Sequence, residues 1–210
     1  MLHTSTLTLF LDGAPLLTLP PLRVAPGEVL TLMGPSGCGK SSLLAALAGV
    51  LPPGGPIRLT GDILLGAHRL TLLPPQERGV GILFQDDLLF AHLTVAENLM
   101  FGMPAHLKGM AARQTRAREA LTEVGLEAQA DKLPRALSGG QKARVSLLRA
   151  LLAEPRALLL DEPFSRLDKP LRAAFRTLVF ERLRTQADRH IPVLMLTARD
   201  ALEDKLQGFR

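Results

Sequence analysis

The sequence has no tryptophan, no tyrosine and a single cysteine among its 210 residues. One thiol excludes an internal disulfide framework and suits a reducing compartment. Aromatic residues are 4% of the chain, all of them phenylalanine, too few for the stacking platforms that hold single-stranded nucleic acid. No apolar run approaches the roughly 20 residues that span a bilayer. The first residues, Met1-Leu2-His3-Thr4, lack the basic region and long apolar stretch of a secretion leader. A cytoplasmic chain is therefore expected, with any membrane role exercised through a partner.

What is present is an ordinary globular composition, 47% hydrophobic and 21% charged, punctuated by 18 glycines and 16 prolines. A chain of this length buries roughly 70% of its unfolded surface, enough for one large domain or two small lobes. The net charge of +5 is spread along the chain. Arg113, Arg116 and Arg118 share one helical stretch with Glu119 and Glu123 close behind. That mixture reads as a solvated helix face rather than a polyanion site, and no nucleic-acid partner is expected.

Residues 5–11 alternate as a strand, a turn follows at Gly13–Pro15, and Glu28 to Met33 reads as a short buried strand. A helical pattern from Ser41 to Val50 stops at Pro52-Pro53-Gly54-Gly55. Further β segments are expected over 57–64 and 79–85. The stretch 94–135 is helical in pattern, most clearly from Met110 to Val124. Ser138 opens another helix to about Ala153, Ala157 to Leu160 is an apolar strand, a long helix starts near Asp168, and Ile191 to Leu196 is a final buried strand. Strands alternating with helices at both ends imply an α/β core with a parallel sheet, interrupted by a helical lobe.

Between the strand ending at Met33 and the helix starting at Ser41 lies Gly34-Pro35-Ser36-Gly37-Cys38-Gly39-Lys40-Ser41, which fits the phosphate-loop pattern G-x-x-x-x-G-K-[ST]. The glycines let backbone N–H groups turn inward around an anion. Lys40 sets a positive charge against the β and γ phosphates, Ser41 offers a hydroxyl to Mg2+, and the helix adds its positive dipole end. Cys38 is either a small side chain that fits the loop or a redox-sensitive thiol. Ala157-Leu158-Leu159-Leu160 ends on Asp161-Glu162. Asp161 is placed to hold Mg2+ and Glu162 to polarise an attacking water, unless Glu162 only caps the chain before Pro163.

Leu137-Ser138-Gly139-Gly140-Gln141 precedes a strong helical run. With the two earlier motifs, in this order, it resembles the signature of ABC-family ATPases over nearly the whole chain, and within that family the small YnjD-type subgroup of importers. The resemblance implies a P-loop NTPase core with a mostly parallel sheet, an N-terminal antiparallel β subdomain and an inserted α-helical subdomain. The chain would then be one ABC ATPase domain, its RecA-like core about 1–86 and 151–210 and its helical subdomain about 87–150.

It also implies ATP binding and hydrolysis with Mg2+, coupled to import of a solute at the inner face of the cell membrane. The implied partners are permease subunits, an extracytoplasmic solute-binding protein and a second copy of the chain. In that pairing two ATPs are sandwiched head to tail, and Ser138, Gly139, Gly140 and Gln141 of one copy meet the nucleotide held by Gly34 to Ser42 (Ser42 included) of the other. Gln85 looks like the glutamine that contacts Mg2+ and senses the membrane subunit, and Ser165-Arg166-Leu167-Asp168 resembles the D-loop. The segment Asp86 to Val95 is similar to the dock for a membrane subunit, unless it packs into the domain's own core.

Two departures stand against the family pattern. Phe10 is the only aromatic upstream of Gly34, one residue off the usual spacing; it either stacks on adenine or packs in the core. Where the family carries Thr-His-Asp after the last strand, this chain reads Thr197-Ala198-Arg199-Asp200. Counting from the strand puts Ala198 at the histidine's place, and counting back from Asp200 puts Arg199 there. Two other readings stay open: a soluble ABC ATPase acting on DNA or ribosomes, and a regulatory module that closes on ATP and scarcely hydrolyses it.

Overall fold

The computed structural model describes residues 1–163 and 190–198. They fall into two units, the first comprising Met1–Ile82, Arg156–Glu162 and residues 190–198, the second Leu83–Pro155 with Pro163. The helix expected from Asp168, the segment Ser165–Asp168 and Arg199 lie outside the described residues.

The first unit contains three sheets. In the sheet that carries the candidate site the order is β5 (Val29–Gly34), β11 (Val193–Ala198), β10 (Ala157–Asp161), β9 (Val80–Leu83), and β11 runs parallel to both β5 and β10. All five residues of β10 are buried, as expected of a parallel strand covered on both faces. Two antiparallel sheets accompany it. One has the order β4 (Arg23–Val24), β1 (Leu2–Thr4), β7 (Ile63–Leu65), β8 (His68–Arg69), and the other β3 (Ala14–Leu19), β2 (Leu7–Leu11), β6 (Ile57–Thr60). Helix α1 (Lys40–Ala48) buries Leu43, Leu44 and Leu47 in a core shared with Leu7, Leu9, Ile63, Leu159 and Leu194.

The hairpin between β2 and β3 turns on Asp12 and Gly13, with φ of 51° and 82°. Positive φ at both central residues is what a two-residue turn matching the strand twist requires. The turn therefore ends before Pro15, which the sequence places in the turn itself. Pro15 sits in β3, tolerated because β3 is an edge strand and needs no donor on its outer side.

In the second unit α2 (Val95–Gly102), α3 (Met110–Glu123) and α4 (Gly139–Leu152) enclose Leu99, Leu121, Leu126, Val145 and Leu148. The expected helical stretch over 94–135 is thus broken after Gly102, where Pro104 cannot donate to a continuing helix. Arg113 departs from the solvated face expected of it. Its guanidinium donates to the carbonyls of Met100 (3.1 Å), Pro104 (3.0 Å) and Leu107 (2.9 Å), clasping the α2–α3 connection. Arg116 and Arg118 do face outward, toward Glu119 and Asp131 respectively.

Candidate functional site

The loop 34–39 joins the end of β5 to the start of α1. Gly37 and Gly39 have φ of 80° and 91°, a left-handed conformation that costs a side chain free energy and glycine nothing. No side chain caps α1 at Gly39, and its first turn holds no acid, so the leading N–H groups remain donors for an anion. Lys40 is 9% exposed, and its Nζ donates to the carbonyls of Gly34 (2.8 Å) and Pro35 (2.7 Å). The ammonium thereby ties both ends of the loop together and keeps one N–H beyond those two bonds. Ser41 is exposed at the first turn of α1 and Ser42 is half-buried.

Cys38 is half-buried and folds back across the loop, so that a Cβ on Gly34 would sit 3.1 Å from its Sγ. Alkylation of Cys38 is expected to abolish nucleotide binding, and bound ATP to slow the alkylation. Adduct mass spectrometry paired with nucleotide titration checks both, and a fully modified protein with unchanged ATP affinity would overturn the expectation.

Strand register sets the loop beside the two acids. Leu196 of β11 lies opposite Asp161 on one side and Leu32 on the other, so Asp161 and Leu32 share a rung two strands apart. Gly34 is two residues further along β5, about 7 Å beyond that rung. The phosphate loop and Asp161–Glu162 therefore emerge at the carboxyl edge of one parallel sheet, where ligands of open α/β sheets bind. Asp161 is 4% exposed. Glu162 leaves the strand at φ 45°, its N–H donating to the Leu196 carbonyl at 3.1 Å. A glutamate in this region stores roughly 1 kcal/mol or more of backbone strain.

The same register puts Ala198 opposite Gly34 as the last residue of β11. His190 sits at the other end of that strand, exposed, with its Cβ against Gly27. Phe10 lies half-buried on β2 with Thr8, on the strand face opposite the buried Leu7 and Leu9. The sequence did not single out Leu16. The pairing of β2 with β3 slips at Leu9/Phe10, leaving Leu16 as the extra residue, and bulges commonly re-aim such a side chain. It meets the loop: a Cβ on Gly39 would lie 3.0 Å from Leu16 Cδ2.

The remaining candidates belong to the second unit. Gln85 is exposed, two residues past β9. Ser138 caps α4 in a reciprocal box: Gln141 N–H donates to Ser138 Oγ (3.3 Å) and Ser138 N–H to Gln141 Oε1 (2.9 Å). That leaves the serine O–H as a donor. Among the described residues a Cβ on Gly139 would meet nothing within 4 Å. Within the segment 86–95, Leu88 is 58% exposed at φ 43°, which rules out core packing for that residue. The segment is pinned on either side of it. Ser146 Oγ donates to the Asp87 carbonyl (2.5 Å), and the buried Asn98 accepts from Phe90 N–H (2.8 Å) and donates to the Phe90, Leu93 and Thr94 carbonyls.

The donors suited to a cation are the Ser41 hydroxyl and the Asp161 carboxylate in the first unit and the Gln85 amide in the second. All are hard oxygens, and among the described residues no group of three or more His, Cys, Asp or Glu converges. In the first unit the Ser41 hydroxyl and Asp161 carboxylate are the kind of donors magnesium takes, since it uses few protein ligands and relies on phosphate oxygens and water.

The ABC transporter family pattern matches residues 20–165, more than half of the chain. The chain is 48% identical over 197 residues to the ABC transporter ATP-binding protein YnjD of Escherichia coli K12, covering 94% of this chain and 88% of that one. It is 43% identical over 176 residues to the thiamine import ATP-binding protein ThiQ of Vibrio vulnificus, covering 84% of this chain and 72% of that one. To the Fe(3+) ions import ATP-binding protein FbpC of Rhizobium etli it is 44% identical over 160 residues, 76% of this chain but only 44% of the relative. Among solved structures it resembles a dimeric post-hydrolysis state of the ATP-binding cassette MJ0796 bound to ADP and Pi. There the TM-score is 0.77 at 27% identity, covering 94% of this chain and 88% of that one.

Proposed function

The chain belongs to the ABC transporter family, and on that premise we propose that it is the ATP-hydrolysing motor of an importer, working as a pair of copies on a membrane permease. The observation that carries this reading is the shared carboxyl edge of β5, β11 and β10, which brings a lysine-bearing phosphate loop beside Asp161 and Glu162. The import names of the thiamine and iron relatives support the direction of transport.

In this reading residues Gly34 to Ser42 hold the ATP phosphates through backbone N–H groups and the Lys40 ammonium. Ser41, Asp161 and Gln85 are the residues that would hold Mg2+, which when bound would neutralise phosphate charge. Glu162 accepts the proton of the attacking water as that water bonds to the γ-phosphorus and ADP leaves. Phe10 takes the adenine side. Ser138, Gly139, Gly140 and Gln141 serve the ATP of the second copy. The space around Gly139 among the described residues supports this, since glycine permits close approach from outside.

The stretch Leu83–Pro155 serves as the helical subdomain, expected over about 87–150, and Met1–Ile82 with Arg156–Glu162 belong to the RecA-like core. The segment 86–95 docks the permease, presenting the exposed Leu88 held at positive φ. No helix among the described residues is long and apolar enough to cross a membrane, so the proposed place at the inner membrane face comes through the permease. An extracytoplasmic binding protein completes the system. The membrane and binding subunits select the solute, while this chain sets the reaction.

The test is capture from native membranes with the Glu162→Gln variant in ATP, followed by mass spectrometry. A polytopic membrane protein is expected as the main partner. Recovery of ribosomal or DNA-repair proteins instead would overturn the importer reading.

A further inference from the structure

Helix α1 is held at both ends, and at the end remote from the phosphate loop the holding group is a buried cation. Arg78 is 8% exposed. Its Nη1 donates to the carbonyls of Ala46 (3.0 Å) and Leu47 (2.8 Å) in the last turn of α1, and its Nε to the Leu73 carbonyl (2.9 Å). The helix has no basic residue of its own in that turn, so Arg78 supplies from outside the charge that favours a helix C-terminus. Burial pushes the guanidinium below its usual pKa, yet an arginine remains charged at any ordinary pH. The capping residue Gly49, at φ 79°, lies directly under the guanidinium, and a Cβ there would overlap it.

The same corner gathers the starts of two strands. Gly79 follows Arg78 and leads into β9, and its carbonyl accepts from Arg156 N–H at 2.7 Å, one residue before β10 begins. The Arg156 side chain runs along Gly79, where an added Cβ would stand 3.2 Å from its Cδ. One corner thus joins the end of α1 to the starts of β9 and β10. The opposite ends of α1 and β10 carry the phosphate loop and Asp161–Glu162.

The flanks of α1 offer less control over its axial position. They are largely apolar, and apolar packing is non-directional, whereas a charged fork on three carbonyls has a narrow optimum of distance and angle. The helix is nine residues long, about 13 Å, so any slip at its C-terminus reaches Gly39 and Lys40 undiminished. We propose that Arg78 is a positioning residue for ATP binding and hydrolysis: its grip on Ala46, Leu47 and Leu73 sets the axial position of α1, and so places the phosphate-loop donors against Asp161 and Glu162. This rests on the phosphate-loop reading above.

The test compares the full chain with Arg78→Met, which keeps volume without donors, and Arg78→Lys, which keeps charge without the fork. ATP affinity, kcat and amide exchange at residues 37–41 are measured at a temperature where thermal melts show each protein folded. Arg78→Met is expected to weaken ATP binding about tenfold and to lower kcat about tenfold to a hundredfold, in line with small misplacements of catalytic groups. Exchange at 37–41 should accelerate, and Arg78→Lys should fall between Met and wild type. Folded variants that melt earlier but bind and hydrolyse ATP as the wild type does would make Arg78 a stability residue only and overturn the proposal. Where Arg78→Met does not fold, Arg78→Lys decides by the same criteria. A wild-type chain that binds no ATP would instead remove the phosphate-loop reading itself.

Discussion

Glu162→Gln is expected to lower ATP turnover by about 10² to 10⁴-fold, the usual contribution of a positioned general base, while ATP affinity stays within a few-fold of wild type. Glutamine preserves the size of the side chain and the backbone arrangement, in which the residue-162 N–H donates to Leu196 and φ is 45°. The negative charge and the capacity to take a proton from water are lost. ATP then persists, and the head-to-tail dimer is expected to accumulate on size exclusion in ATP but not in ADP. Glu162→Gly separates chemistry from folding. It should lose turnover equally, with the backbone kept in place because glycine adopts positive φ without strain. Turnover of Glu162→Gln within threefold of wild type would place the base elsewhere and favour the module that closes on ATP and scarcely hydrolyses it.

The motifs were readable because their chemistry constrains residue type. An inward-facing loop of N–H groups needs glycines at particular positions, and an acid at a buried strand end needs an apolar run before it. Element edges were less readable, since hydrophobicity does not mark where a ladder begins. Glu28 was expected to open β5, but Ala25 N–H donates to its carboxylate (2.7 Å) and Glu28 N–H to the Ala25 carbonyl (3.1 Å), so it closes a turn and the strand starts at Val29. The last strand was expected over Ile191 to Leu196 and is found at Val193–Ala198. Ile191 is as buried as the strand itself, but its carbonyl accepts from Gly27 and Pro192 has no N–H to give.

That shift of two residues matters, because it makes Ala198 the end of the strand, opposite Gly34. Non-local pairings such as β1 with Ile63–Leu65 leave no local signal. Neither does Arg78, whose partners are carbonyl oxygens that any residue could supply. Leu16 reaches the loop only because of a slip in register.

Lys40→Met is expected to weaken ATP binding by roughly 10 to 150-fold, the equivalent of about 1.5–3 kcal/mol for one charge-assisted hydrogen bond. The loss has two parts. The ammonium contributes its remaining N–H and its charge to the phosphates, and it also joins the Gly34 and Pro35 carbonyls, which fixes the curvature of the loop before nucleotide arrives. Methionine is an unbranched side chain without donors or charge and does neither. Arginine is not expected to rescue, because its longer side chain ends in a rigid planar fork that does not reproduce the compact ammonium bridging the Gly34 and Pro35 carbonyls. Thermal shift gives the clearest readout. At ATP near 100 times the wild-type Kd the native state gains about 2.7 kcal/mol, or roughly 5–10 °C for a chain of this size. A variant binding a hundredfold more weakly gains about 0.4 kcal/mol, roughly 1 °C. A Lys40→Met protein that still shifts by more than about two thirds of the wild-type amount would mean that the backbone donors of the loop and α1 dominate phosphate binding, with the lysine serving mainly to shape them.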